Sequence, residues 1–218
     1  RGRSGARRGS RGARSRAGAG APDVVADVSP RALGRGGRGG FLYAGSLDWR
    51  GLVTSDTVFV IDRASRRVQI VGSTPHPDGL LMRQVSRTLT AADGSLSAHR
   101  VLICDRDTKW SAPVRSRLGD AGIRVLLTPY RAPNANAYAE RFVRTIKEGC
   151  LDQMIFFGEE SLRQAIHEFV IHYHRERNHQ GLDNRLITPM EKTVDPAANI
   201  DRRQRLRGLL NYYHRTAA

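Results

Sequence analysis

The stretch from Val101 to Leu127 constrains the fold of this 218-residue chain more than any other. Val101-Leu-Ile-Cys-Asp105 is a short apolar run that ends in an acid, and Ile123–Leu127 (IRVLL) is a second such run. Between them Pro113–Ala121 has the length of a short helix, closed by Gly122. A strand-helix-strand stretch of this kind implies a parallel pair with a helical crossover. The remaining segments extend this α/β reading. Thr57–Asp62 (TVFVID) reads as a strand and Arg66–Thr74 (RRVQIVGST) as its antiparallel partner, with the turn near Arg63-Ala64-Ser65. Asp78–Ala92 carries Leu81, Met82, Val85 and Leu89 at helical spacing. Asn136–Gly149 reads as a helix after a Pro/Asn loop. Leu162, Ala165, Ile166, Phe169, Val170 and Tyr173 mark a strongly amphipathic helix.

Charge separates the chain into unlike parts. The formal net charge is +15, and a protein this basic usually meets a polyanion, with nucleic acid the first expectation. Residues 1–40 hold ten Arg, eleven Gly and no Lys against two acids, Asp23 and Asp27. They therefore carry more than half of that charge with almost no apolar periodicity, and are expected to be disordered. Three readings stay open for this segment: a phosphate-binding Arg/Gly arm, an Arg-rich targeting segment, or GC-rich DNA translated in another frame. Residues 41–195 read as the globular core and 196–218 as a basic tail, whose Ile200–Tyr213 stretch suits a helix lying on the surface or on DNA. Cys104 and Cys150 lie in apolar contexts and are expected to be reduced core residues of a cytoplasmic protein. No run approaches the ~18 apolar residues of a membrane-spanning helix, so no membrane partner is expected.

Two acids stand in settings that suit chemistry. Asp105 ends the apolar strand in Leu102-Ile-Cys-Asp-Arg-Asp-Thr-Lys-Trp110, and Glu140 opens a helix after the Thr128–Asn136 loop. Carboxylates that converge on Mg2+ are what phosphodiester chemistry needs, because this hard ion takes oxygen ligands. Arg144 and Lys147 follow Glu140 by four and seven positions, so they share its helix face and suit DNA phosphates. His172, His174 and His179 fall on different faces without a nearby Cys, which does not suit zinc. Asp107 reads as a turn residue.

These motifs resemble the DDE integrase/transposase core, and most of all bacterial insertion-sequence transposases of the integrase-core type. Asp105-Arg-Asp-Thr-Lys-Trp110 resembles that family's D-x-D/G-S/T-K-F/W element. TPYRAPNANAYAERFVR from Thr128 to Arg144 resembles T-P-x-x-A-P-x-x-N-x-x-A-E-R-x-x-R, and HYHRERNHQGL from His172 to Leu182 resembles Y-N-x-x-R-x-H-x-x-L. The resemblance spans roughly Trp49 to Pro189 and implies an RNase H-like α/β fold, a mixed central sheet with flanking helices. It implies three carboxylates holding two ions of Mg2+ or Mn2+, with Asp105 the second acid and Glu140 the third. It further implies DNA integration or transposition by metal-dependent cleavage and strand transfer, acting on transposon ends and target as a homo-oligomer in the bacterial cytoplasm. Arg141, Arg144, Lys147 and Lys109 become the expected DNA contacts.

The first acid is where the chain departs from the pattern. Counting back from the Val58–Ile61 strand through a hairpin at Trp49–Thr54 puts that position near Gly40-Phe41, and no acid stands there. Asp48 is the nearest candidate. A frameshift upstream of about residue 48 would account for both the missing acid and the Arg/Gly composition, leaving a relic. The competing function is a non-catalytic basic nucleic-acid-binding protein, and a third is a ribonuclease H-like nuclease.

Overall fold

The computed structural model of the chain describes residues 36–94, 96–97, 99–129, 136–189 and 197–215. The sheet has five strands in the order β3-β2-β1-β4-β5. They are β1 (Gly36–Asp48), β2 (Gly51–Asp62), β3 (Val68–Thr74), β4 (Val101–Cys104) and β5 (Arg124–Leu127). β1 and β2 form a long hairpin and β3 pairs antiparallel to β2. β4 runs parallel to β1 and β5 parallel to β4. The crossover between β4 and β5 is α2 (Ala112–Asp120), and Gly122 at φ 80 ends it in the left-handed conformation that glycine adopts without a Cβ clash.

Each face of the sheet is covered by two helices. α1 (Gly79–Thr90) and α2 bury Met82, Val85, Leu89, Val114 and Leu118, against Phe41, Val58, Val60 and Leu102. Asp78 accepts hydrogen bonds from the backbone N–H groups of Leu80 and Leu81 at 3.0 and 2.9 Å, which starts α1. α3 (Ala137–Gly149) and α4 (Gly158–Arg175) cover the other face. There Phe142, Ile146, Leu162, Ile166 and Phe169 pack on Leu42, Phe59 and Ile61.

Two expectations change. The central strand begins at Gly36, inside the segment expected to be disordered. Its glycines are structural, because they let neighbours close directly on the backbone. A Cβ at Gly37 would stand 2.8 Å from Leu96 Cδ2, and one at Gly39 2.8 Å from Trp110 Cζ2. Phe41 and Leu42 are buried on opposite faces, so residues 36–48 are part of the fold. Residues 1–35 lie outside the described residues, as do the Pro/Asn loop at 130–135 and residues 190–196. Second, the basic tail is no helix. β6 (Ile200–Arg205) and β7 (Leu210–Arg215) pair as an antiparallel hairpin. Arg205 ties it to α4, and Leu210 enters the core beneath α4. Cys104 and Cys150 are free and buried, as expected. Burial pushes the Cys150 thiol up to about 11 and Cys104 up as well. Among the described residues no helix is long and apolar enough to cross a membrane.

Candidate functional site

The site forms where β4 ends. β1 and β4 run abreast with Gly39 opposite Cys104, so one step further along both strands sets Gly40 beside Asp105. Cys104 belongs to the core under α1 and α2. Strand alternation therefore turns Asp105 towards the α3 face. Gly40 faces the same way, because a Cβ built there would lie 3.7 Å from Ala139 Cβ and 3.0 Å from Phe59 Cζ. α3 buries Ala139, Phe142 and Ile146, which leaves Glu140, Arg144 and Lys147 on a neighbouring face. Gly40, Tyr43, Asp105, Glu140, Arg144 and Lys147 all line one groove of about 580 Å3.

The two acids differ in environment. Glu140 and Arg141 are exposed. Asp105 is half-buried, and burial raises its pKa, with the neighbouring Asp107 charge adding to the effect. The Asp107 backbone N–H, 3.3 Å from Asp105 Oδ1, and the Lys109 charge work the other way.

Below the groove lies a network that sequence reasoning missed. The Lys109 ammonium sits 3.0 Å from Asp56 Oδ2 and 3.2 Å from Asp107 Oδ2. It also lies 4.6 Å from the centre of the Phe41 ring. Tyr43 donates its hydroxyl to Asp107 Oδ2 at 2.7 Å. Burial opposes the Lys109 charge, but hydrogen bonds to Asp56, Tyr43 and Asp107 outweigh it and raise its pKa. Lys109 therefore faces inward and is not a free DNA contact as expected. Asp107 is the turn residue it was read as, since its Oδ1 accepts from the Lys109 N–H at 2.9 Å. Tyr43 and Asp56 meet because they are cross-strand partners. That pairing follows from the turn at Asp48–Gly51, and counting back from a correctly located turn would have found it.

Asp48 is elsewhere. It closes the β1–β2 hairpin, accepting from the Arg50 N–H at 2.6 Å. Eight residues of extended strand, roughly 27 Å at about 3.4 Å each, separate it from Gly40. It therefore cannot meet Asp105 and is no substitute for the first acid. The three histidines are each engaged in structure. His174 Nε2 accepts from the Val68 N–H at 2.9 Å, and burial with nearby Arg67 takes its pKa down to about 4. His172 Nδ1 pairs with Glu176 at 3.0 Å, and His179 Nε2 bonds the Tyr173 carbonyl at 2.7 Å.

A mixed five-stranded sheet with an acid at the end of β4 and another on the first turn of a covering helix defines an RNase H-like core of the integrase type. Residues 121–189 match the family model described as "Integrase core domain". Among solved structures, the chain is similar to the HTLV-2 integrase catalytic core domain in complex with magnesium, in its trimeric form. The TM-score is 0.51 at 12% identity over 70% of this chain and 92% of that one. It is also similar to a chain of the simian T-cell lymphotropic virus intasome in complex with the PP2A regulatory subunit B56 gamma. That match has a TM-score of 0.50 at 11% identity, over 84% of this chain and 66% of the other. At such identity the likeness is one of fold. No curated protein matches the sequence.

The residues present do not fit a two-ion centre. Among the described residues no group of three His, Cys, Asp or Glu side chains is arranged to hold a metal ion. The strand position beside Asp105 that faces α3 belongs to Gly40, which has no side chain to offer. Asp105 and Glu140 are left without that third partner. Glu148 and Asp152 also line the groove but join no metal-holding group among the described residues, and two carboxylates carry too little charge to hold two divalent cations close together.

Proposed function

We propose that this chain is a DNA-handling integrase-core domain of insertion-sequence transposase descent whose strand-cutting centre is incomplete. The observation that carries the reading is Gly40, abreast of Asp105 and turned towards Ala139 on α3. A domain built this way keeps the means to hold DNA and lacks the means to organise the metal ions that cut it. Support for DNA as partner comes from Arg144 and Lys147, which edge a groove that also holds the acids Asp105, Glu140, Glu148 and Asp152, and from the net charge of +15. The two basic side chains suit backbone phosphates, which position a duplex without reading its sequence. The integrase core match at residues 121–189 agrees in kind. Transposon ends and target DNA, a homo-oligomeric assembly and a bacterial cytoplasmic setting complete the reading.

The test pairs binding with cutting. The full chain should bind duplex DNA with an affinity that falls steeply with salt, and Arg144→Gln with Lys147→Gln should flatten that dependence. Incubation with Mg2+ or Mn2+ should leave the DNA intact. Metal-dependent nicking that disappears in both Asp105→Asn and Glu140→Gln would overturn the incomplete-site reading and restore an active recombinase.

A further inference from the structure

A second set of cations converges on the other side of Glu140. Tyr138 opens α3, and the Arg66 guanidinium lies 3.6 Å over the centre of its ring, with Arg38 5.1 Å away. Arg66 comes from the β2–β3 turn, where its φ of 63 is a left-handed conformation that a side chain rarely adopts. Arg141 follows Glu140 on α3, and Arg177 follows the end of α4. These segments meet around Tyr173, whose ring packs edge-on to Phe142 at 5.3 Å and to His179 at 4.6 Å.

The charges there reinforce one another. Burial raises the Tyr173 phenol, while Arg177, Arg66 and Arg141 pull it down. Burial lowers His179, and Arg177 and Arg66 lower it further. Apart from Glu140 itself, acids that could neutralise this rim are engaged elsewhere. Asp62 holds His99 and Ser65, and Glu176 is locked inward by Arg205 and His172. Among the described residues Arg163, Arg185, Arg203 and Arg205 each pair with an acid, whereas Arg66, Arg141 and Arg177 do not. Like charges gathered from three elements repel one another, and an anion between them would reverse that cost.

We propose that Arg66, Arg141 and Arg177 form a phosphate-binding rim for the DNA backbone, around the first turn of α3. The proposal rests on the DNA-handling reading and extends it. Arg144 and Lys147 hold the strand on one side of Glu140 and the rim holds it on the other. From Tyr138 to Lys147 α3 rises roughly 14 Å at about 1.5 Å per residue. That matches about four nucleotides of one strand at about 3.4 Å each.

The experiment measures duplex-DNA affinity of the full chain by fluorescence anisotropy across a KCl series. Taking away one phosphate-binding cation should flatten the slope of log affinity against log salt by about 0.9. Arg177→Gln, at an exposed position, should flatten it by that single step, and Arg66→Gln with Arg177→Gln by twice as much. The Lys versions should keep the slope, and Arg87→Gln on α1 should leave it unchanged. Circular dichroism checks that each variant is folded, and the single Arg177 variant decides the matter if Arg66 proves essential for folding. An unchanged slope in the Arg177 variant, while Arg144→Gln with Lys147→Gln flattens it, overturns the rim and leaves DNA handling standing. A native chain with no salt-dependent DNA binding overturns both. Inorganic phosphate should compete no better than chloride at equal ionic strength. Stronger competition would assign the rim to free phosphate and overturn the backbone proposal.

Discussion

Removing the Arg205 side chain should loosen the C-terminal hairpin from the core. Glu176 ends α4 with a side chain only 1% exposed. Its carboxylate accepts from Arg205 Nε at 2.9 and 3.1 Å and from Arg205 Nη2 at 2.7 Å. His172 Nδ1 lies 3.0 Å away and Arg203 Nη1 3.6 Å away. Arg205 Nη1 also reaches Glu168 at 2.7 Å. Breaking a buried pair by deleting one partner costs about 3–5 kcal/mol. Here Arg205 is 17% exposed, and His172 and Arg203 stay to share the stranded charge. Arg205→Ala should therefore cost about 2–3 kcal/mol, seen as a fall of about 5–10 °C in Tm. Urea unfolding at neutral pH measures it directly. In a Glu176→Gln background no buried charge is stranded, and the same substitution should cost about 1 kcal/mol. The pH dependence has a definite sign. Burial opposes the Glu176 charge, but Arg205 and His172 outweigh it and hold the carboxyl below the usual glutamate range. Its contribution is present above that range and fades as pH falls through the depressed value, so the penalty of Arg205→Ala should shrink in acid. A loss under about 0.5 kcal/mol at neutral pH, or an equal loss in both backgrounds, would refute the clamp.

Asp105→Asn should stabilise the metal-free protein near neutral pH. The raised pKa means that the ionised form costs stability once pH exceeds the ordinary aspartate range, and the amide removes that cost. Calorimetric scans should show a higher Tm at pH 7 and convergence with the native chain in acid, whereas a lower Tm at pH 7 contradicts the assignment. Lys109→Met should destabilise the chain by about 2–3 kcal/mol, because Asp56 and Asp107 lose their shared cation. It should leave the salt dependence of DNA affinity unchanged, as anisotropy would read. Gly39→Ala drives a Cβ to 2.8 Å from the Trp110 ring and should cost about 1–3 kcal/mol on urea unfolding.

The sheet's parallel half was legible because Val101–Asp105 and Ile123–Leu127 are apolar runs too short for anything but strands, and Gly122 marks the helix end between them. α4 was legible because its buried residues recur with helical period. β1 was not, since a strand starting Gly36-Gly-Arg-Gly-Gly40 has the composition of a linker and only the packing of Leu96 and Trp110 onto its backbone explains it. The β6–β7 hairpin was missed for a related reason. Arg205 is a stray cation in the sequence and meets Glu168 and Glu176 only after the chain has folded back across α4. Asp105 and Glu140 were singled out through their motifs, and both line the same groove. The missing acid near Gly40 was found by counting back from the next strand, while Lys109 was assigned to DNA because its inward turn depends on the Tyr43–Asp56 pairing.

Gly40 stands where a third carboxylate would complete the site. Titrating Mn2+ into the native chain and into Gly40→Asp by calorimetry tests it most directly. The new side chain must displace the Phe59 ring by a few tenths of an ångström, so Gly40→Asn, of equal size and no charge, serves as the folded control. With the third carboxylate present the affinity should rise by at least about tenfold over both the native chain and the Asn variant, in line with the added ligand charge. Tight binding of two Mn2+ ions by the native chain, abolished by Asp105→Asn, would contradict the account.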